Sequence, residues 1–351
     1  MSSFKKIINP YIIAEIGVNH ECSISKAKKM IFSAAKSGAS AVKFQYYKAE
    51  KITSKKSPAY WDLNKEKTTS QFKLFKRYDK FNKIDYINLS NYCKKLKIDF
   101  MCTPFDLEAV VFLKKLVKYF KVSSSDITNY PLLSAVAKTK KPIILSTGAS
   151  NLNEIKNSVN FLKQNGVKDD SIAILHCVLS YPTKDVDANL QFIDLLKKKF
   201  PKNYIGYSDH TMPDYGMTSL VSAFLKGACI LEKHYTHNKK LRGNDHYHSM
   251  DMDDLEKFNF ILNQIDKKSK NKIPTDRKVL SCEKKSRKYA RRSLYSQGKI
   301  NKGDKFDRTN IIAKRPGYGI SPIYFKKLIG KESKVFIDND ELISFSKHVK
   351  N

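Results

Sequence analysis

Paired cysteines are missing from this chain. Its six cysteines (Cys22, Cys93, Cys102, Cys177, Cys229, Cys282) are scattered, with no C-x-x-C and several inside apolar runs. That excludes a disulfide framework and a cysteine zinc site, and it implies buried thiols in a reducing compartment. Long apolar runs are missing as well. No stretch approaches the ~20 residues that cross a bilayer, and no signal-peptide apolar region follows Met1-Ser-Ser-Phe-Lys-Lys6. A cytoplasmic protein with no membrane partner is therefore expected. Acidic residues are scarce: 34 Asp and Glu face 66 Lys and Arg, a net charge of +32. Such an excess suits either nucleic acid or small anions. The lysines are spread along the chain, including Lys114-Lys115 and Lys197 to Lys199, as on a solvated surface, so no nucleic-acid partner is expected. A basic nucleic-acid-binding protein remains the competing reading from another class.

What is present is enough chain for a full core. With 351 residues and 41% hydrophobic content, one large domain plus a small one is expected. Short apolar runs alternate with helix-period stretches: Ile12-Ile-Ala-Glu15, Ala41-Val-Lys-Phe44, Asp99-Phe-Met-Cys102, Phe120-Lys-Val122, Ile143-Ile-Leu145, Ile172-Ala-Ile-Leu-His176, Tyr204-Ile-Gly206 and Cys229-Ile-Leu231. Between the first two, Ala27, Met30, Ile31 and Ala34 share one helical face and Gly38 supplies a stop. Eight such units over residues 1–265 predict a (β/α)8 TIM barrel. Residues 266–285, with Asp266 to Lys272 and Pro274, read as a solvated linker. Residues 286–351 read as a small β-rich domain, with Arg292-Ser-Leu-Tyr295 and Asn310-Ile-Ile-Ala313 as strands and Asn301 to Asp304 as a turn.

Barrel chemistry sits at the C-terminal ends of the strands, so polar residues after each run are site candidates. They are Glu15 with Asn19 and His20, Lys43 with Gln45, Thr103, Ser123 to Asp126, Ser146 with Thr147, Tyr181, Ser208 to His210, and Glu232 to His234. His210 and His234 follow neighbouring runs, each near an acidic residue (Asp209, Glu232), as metal-bound imidazoles often are. Two protein nitrogens are too few for zinc. They suit a divalent cation completed by water and substrate oxygens, Mn²⁺ first, with Mg²⁺ or Co²⁺ as alternatives. Lys43, between Val42 and Phe44, would point into the barrel. Thr103 and Ser146 can cap helices or bind phosphate at the same N-termini. His20 and His176 read equally as structural residues. Asp245, His246 and His248 lie in a polar loop, where solvation competes with ligand contact.

These residues resemble the sialic acid (nonulosonate) synthase family. Ile12-Ile-Ala-Glu-Ile-Gly-Val-Asn-His20, Ala41-Val-Lys-Phe-Gln45, Cys102-Thr-Pro-Phe105, Lys121 to Pro131, Ile144-Leu-Ser-Thr-Gly148, Leu175-His-Cys177 with Tyr181-Pro182, Ile205-Gly-Tyr-Ser-Asp-His-Thr211 and Leu231-Glu-Lys-His-Tyr-Thr236 carry the likeness in the family's order. Arg292-Ser-Leu and Lys314-Arg-Pro-Gly-Tyr-Gly-Ile-Ser-Pro322 resemble its C-terminal antifreeze-like (SAF) domain. The resemblance implies condensation of phosphoenolpyruvate (PEP) with a 2-acetamido sugar, N-acetylmannosamine or a 2,4-diacetamido-6-deoxyhexose, to a nine-carbon 2-keto acid and phosphate. It implies PEP binding by Lys43, Thr103, Lys121, Ser124, Ser146 and Ser208, and a sugar-polarising cation on His210 and His234. Glu15 would be the base or proton relay, with Asp126 a second catalytic candidate. Gln45, Tyr181, Glu232, Asp245 and Arg315 would meet the sugar or the cation's water shell. Arg315 would reach a second subunit's barrel, implying a domain-swapped homodimer. Two positions depart from the pattern: Asp126 where many relatives have Glu, and Leu179 where close relatives have a PEP-contacting Asn, for which Ser180 or a backbone group would substitute. A PEP synthase acting on a sugar phosphate is the alternative enzyme, and an ice- or carbohydrate-binding role the alternative for the C-terminal domain.

Overall fold

The first helix shows how the sequence builds the large domain. Over Ile24–Lys36, Ala27, Met30, Ile31 and Ala34 are all buried, and the Ser23 side chain caps the start by accepting from the Lys26 amide. The computed structural model describes residues 10–243, 245–269 and 276–350. Met1 to Lys6 and the linker positions 270–275, including Lys272 and Pro274, lie outside the described residues.

Eight parallel strands follow the expected order: β1 (Tyr11–Gly17), β2 (Ala41–Tyr46), β3 (Asp99–Pro104), β4 (Phe120–Val122), β5 (Ile143–Ser146), β6 (Ile172–Cys177), β7 (Tyr204–Asp209) and β8 (Ile230–His234). They pair in the order β3-β2-β1-β8-β7-β6-β5-β4. β3 and β4, the ends of that ladder, also lie against each other, so the sheet is a near-closed TIM-like barrel. Most strands run further than their apolar runs. Thr103, Ser208, Asp209, Lys233 and His234 are strand residues, because the upper barrel interior accepts polar side chains that an apolar-run reading takes for loop.

Period-two alternation divides each strand between two environments. Val42 and Phe44 pack in the layer between strands and helices. Ile13, Ala41, Met101, Ile144, Ala173, Leu175 and Ile230 form a separate apolar cluster inside the barrel. Two residues further along, Glu15, Lys43, Thr103, Ser146, Cys177 and Glu232 take the same inward face above that plug. The plug excludes water from below, and everything polar gathers at one end. Gly206 shows how closely the strands approach: a Cβ there would lie 2.5 Å from the carbonyl oxygen of Ile230.

The helix Met252–Ser269 runs on into the lysine-rich stretch read as linker. Leu255, Phe258 and Leu262 bury its apolar face, and the lysines that follow are good helix formers. The chain divides into two compact units after Lys270. In the second, β9 (Ser293–Ser296) and β10 (Ile311–Lys314) pair antiparallel, and Asn301 and Asp304 close the expected turn. Leu294, Ile300, Phe306, Ile311, Ile320, Leu328, Ile337, Ile343 and Val349 form its own core. No helix among the described residues is long and apolar enough to cross a membrane.

Candidate active site

A cavity of about 470 Å³ opens at the C-terminal ends of the barrel strands. Strand register explains its lower wall. Glu15 pairs with Lys43 across β1 and β2 and with His234 across β1 and β8, while Ser208 pairs with Glu232 across β7 and β8. The lysine Nζ of Lys43 forms an ion pair with Glu15, lies 3.8 Å from Glu232 and donates to Thr103 Oγ1 at 3.3 Å. Lys121 from β4 reaches Glu232 Oε1 at 3.2 Å, which also accepts from Ser208 Oγ at 3.1 Å. Gln45 Nε2 donates to Glu15 Oε1 at 3.0 Å. All four charged residues are buried.

This grouping moves the proton affinities in opposite directions. Burial pushes the Glu15 carboxyl up, and Lys43 only partly offsets it. For Glu232, burial is outweighed by Lys121 and Lys43, and its carboxyl is held below the ordinary range. Burial works against the Lys43 charge, but Glu15 and Glu232 prevail and its pKa is raised. Lys121 goes down, mainly from burial. Two carboxylates on one floor are thus differentiated, one retaining a proton more readily than the other, the kind of divergence that separates acid–base roles.

On the β4 to β6 side, Ser124 Oγ accepts from the Gly148 amide at 2.9 Å. A Cβ at Gly148 would lie 2.9 Å from that hydroxyl and 3.2 Å from Cys177 Sγ, so glycine keeps this corner open. The buried Ser146 hydroxyl has no hydrogen-bond partner among the described residues. Asp126 lines the wall, its Oδ1 accepting from Asn129 Nδ2 at 2.9 Å, with its carboxyl raised by burial. Leu179 lines the cavity. Ser180 is exposed, donates to the Pro182 carbonyl at 3.2 Å and is not part of that lining.

The imidazoles stand opposite. The rings of His210 and His234 are 5.4 Å apart, and Tyr181 lies against both, at 4.3 and 6.0 Å. His210 Nδ1 donates to the Val178 carbonyl at 2.7 Å, which leaves Nε2 for a ligand. Behind them Lys233 and Asp209 form a fully buried ion pair at 2.6 Å. Each precedes one of the two histidines, so the pair locks the two strand ends together. His234 Nδ1 lies 3.3 Å from Asp245 Oδ2 without hydrogen-bond geometry. Burial pushes the His234 pKa well down, with His248 and His210 adding to it. A neutral, buried, unpartnered imidazole nitrogen beside a carboxylate fits a divalent cation. The Asp245 carboxyl is pushed up to about 6 by burial and by Glu15.

Of the expected residues, only Arg315 lies outside this unit, exposed after β10. His20, stacked on Phe81 at 4.3 Å, and His176, bonded to the Ala188 carbonyl at 2.8 Å, serve the packing. So do Asn19, bonded to the Tyr235 carbonyl and Ser249, and Thr147, bonded to the Leu175 carbonyl. His246 bonds Thr236 Oγ1 at 2.7 Å. Residues less visible in the sequence also belong here. Cys177 Sγ lies 3.8 Å from His210 Nδ1. Tyr60, Trp61 and Tyr247 line the mouth. His248, read as a polar-loop residue, is fully buried, with its ring 4.9 Å from that of His234. His234, Asp245 and His248 bring one ligand atom each to within 4.8 Å of one another.

Known proteins share this chain's pattern throughout. The NeuB family matches residues 30–273 and the SAF domain residues 291–347. The N,N'-diacetyllegionaminic acid synthase of Campylobacter jejuni is 40% identical over 95% of this chain and 98% of its own length. The protein of the same name from Legionella pneumophila is 34% identical over 91% and 89%. Among solved structures, the N-acetylneuraminic acid (sialic acid) synthetase of Leptospira borgpetersenii, in complex with citrate, superposes with a TM-score of 0.68 at 33% identity, over 80% of this chain and 90% of that one.

Proposed function

Because the chain belongs to the NeuB family, with its nonulosonic acid synthases, and ends in a SAF domain, we propose that its barrel condenses PEP with an open-chain 2-acetamido sugar. The product is a nine-carbon 2-keto acid, and phosphate is released. The observation that carries this reading is the buried lysine pair, Lys43 and Lys121, sharing one cavity with His210 and His234, whose Nδ1 has no hydrogen-bond partner among the described residues.

PEP carries up to three negative charges, and in the free protein Glu15 and Glu232 balance the lysines instead. On binding, the phosphate and carboxylate would take the charge-assisted hydrogen bonds of Lys43, Lys121 and the hydroxyls of Thr103, Ser124, Ser146 and Ser208. A divalent cation held by His210 and His234 supplies Lewis-acid polarisation of the sugar C1 carbonyl. C3 of PEP forms the new bond to C1, water adds at C2, and the C2–O bond to phosphate breaks. Glu15 is suited to the proton transfers, because burial holds its carboxyl above the ordinary range. Gln45, Tyr181 and Asp245 would orient the sugar. Likeness to the two legionaminic acid synthases favours a 2,4-diacetamido-6-deoxyhexose as acceptor.

The test is to incubate the full chain with PEP, Mn²⁺ and a panel of N-acetylmannosamine, its 6-phosphate and 2,4-diacetamido-6-deoxyhexoses, following phosphate and 2-keto acid. No PEP consumption with any of them overturns the proposal, and preference for the 6-phosphate moves it to a sugar-phosphate synthase. The same reading has the chain act as a domain-swapped homodimer, with Arg315 from one copy serving the other's sugar site. Arg315→Ala should then lower turnover; unchanged turnover would instead fit a separate ice- or carbohydrate-binding domain.

A further inference from the structure

We propose that His248 is a third imidazole ligand of the cation site, which sets this chain's metal preference apart from that of a two-histidine site. The inference rests on the cation of the proposed function and adds a donor to it.

The first argument is a contrast within the molecule. His20, His176, His210, His246 and His348 are buried, and each has a ring nitrogen in a hydrogen bond, with Cys22 N, the Ala188 carbonyl, the Val178 carbonyl, Thr236 Oγ1 and Ser344 N respectively. His248 is fully buried, and neither of its nitrogens has a hydrogen-bond partner among the described residues. A neutral imidazole carries one donor and one acceptor, and leaving both unmet inside a protein costs stability. A buried group of this kind calls for a ligand that the side chains do not supply.

Geometry identifies that ligand's chemistry. His248 Nε2 is 3.9 Å from Asp245 Oδ1, and His234 Nδ1 is 3.3 Å from Asp245 Oδ2. With bonds of about 2.0–2.1 Å, neighbouring donors in a tetrahedral shell lie about 3.3–3.4 Å apart. The two distances run to different oxygens of Asp245, and one ligand atom from each residue lies within 4.8 Å of the others, so side-chain rotations would bring the trio onto one cation; the His210 ring, 6.4 Å from that of His248, lies outside this group. Tyr181 and Tyr247 pack against the His248 ring, with centroids at 5.5 and 4.9 Å, so its plane is held. Two imidazoles and water suit Mn²⁺ or Mg²⁺, whereas added nitrogen donors favour Co²⁺ and Zn²⁺ more strongly.

Co²⁺ reads this directly, because its visible absorption is intense in four- or five-coordinate sites and faint in six-coordinate ones. Dialysed wild-type chain would be titrated with Co²⁺, beside His248→Phe, which keeps the ring packing and removes both nitrogens, and His248→Gln, which keeps hydrogen bonding. The expected result is an intense band in the wild type and, in both variants, affinity lower by about tenfold or more with a weaker band. Wild-type affinity and spectrum in His248→Phe overturn the inference, and so does rescue by His248→Gln, which would make the residue a hydrogen-bonding support. If His248→Phe does not fold, His248→Gln carries the test alone. A wild type that binds no Co²⁺ would remove the cation from the proposed function as well. Unchanged binding in the variants would remove His248 only and leave the proposed function standing.

Discussion

The two walls of the cavity differ in how their polar groups are satisfied. On the lysine wall each charge meets its opposite: Lys43 with Glu15, and Lys121 with Glu232. On the histidine wall, His234 Nδ1 stands without a hydrogen bond among the described residues, and so do both nitrogens of the adjacent His248. A self-neutralised wall can stay buried in the free protein and exchange partners when an anionic substrate arrives. Under the proposed function, a cation would complete the unneutralised one, because its free imidazole nitrogens offer lone pairs that no side chain takes up. Burial pushes the proton affinity of His234 well down, which keeps the lone pairs that a metal needs. On the proposed function, one wall would receive the anionic substrate and the other the cation.

The most damaging change expected is on the histidine wall. His234→Ala should lower condensation by about three orders of magnitude with the circular dichroism spectrum of the fold retained. Residual activity within tenfold of wild type would break the distinction between the walls. Lys121→Met tests the other side with a smaller effect. Removing one charge-assisted contact should reduce kcat/KM for PEP by about 10- to 100-fold, because Lys43 and the hydroxyls remain. Cation affinity should stay at the wild-type value. If Lys121→Met weakened the cation and left PEP untouched, the assignment of the walls would be reversed.

How much of this was legible in the sequence depends on periodicity. Glu15, Lys43, Thr103, Ser146, Ser208 and Glu232 sit on strands or at their ends, where alternation fixes which residues turn inward, so eight apolar runs were enough to gather them. The strands outlast those runs, because β7 and β8 end in Asp209 and in Lys233 with His234. There, the buried Lys233–Asp209 pair replaces apolar packing. His248 was hidden for a different reason. It lies in the irregular loop after β8, where no period says which side chain points inward, and Tyr181, which packs against its ring, arrives from the loop after β6. The segment from Ser54 to Ser70 is similar: Tyr60 and Trp61 reach the cavity from a stretch with little regular structure. Trp61 is held there by its own hydrogen bonds to the Glu66 and Thr68 carbonyls.

The smallest expected effect concerns a carboxylate that belongs to neither wall. Among the described residues, Asp126 has no lysine partner like that of Glu232. Its oxygen accepts from the neutral Asn129 amide, and burial raises its carboxyl above the ordinary value. The native state therefore binds this proton more tightly than the unfolded chain does. The resulting stability is fully present below the unfolded pKa of about 3.9 and is lost as pH rises through the higher native value. At neutral pH the ionised carboxylate is thus a net cost, accepted for function if it serves PEP chemistry. Asp126→Asn keeps an oxygen for Asn129 and removes the charge. It should stabilise the fold at pH 7, seen as a higher Tm, with the gain disappearing near pH 3.5, while turnover falls. A gain of equal size at both pH values would show that packing, not charge, sets the difference. Loss of stability at pH 7 would mean that the Asp126 charge is neutralised in the folded protein, as on the lysine wall.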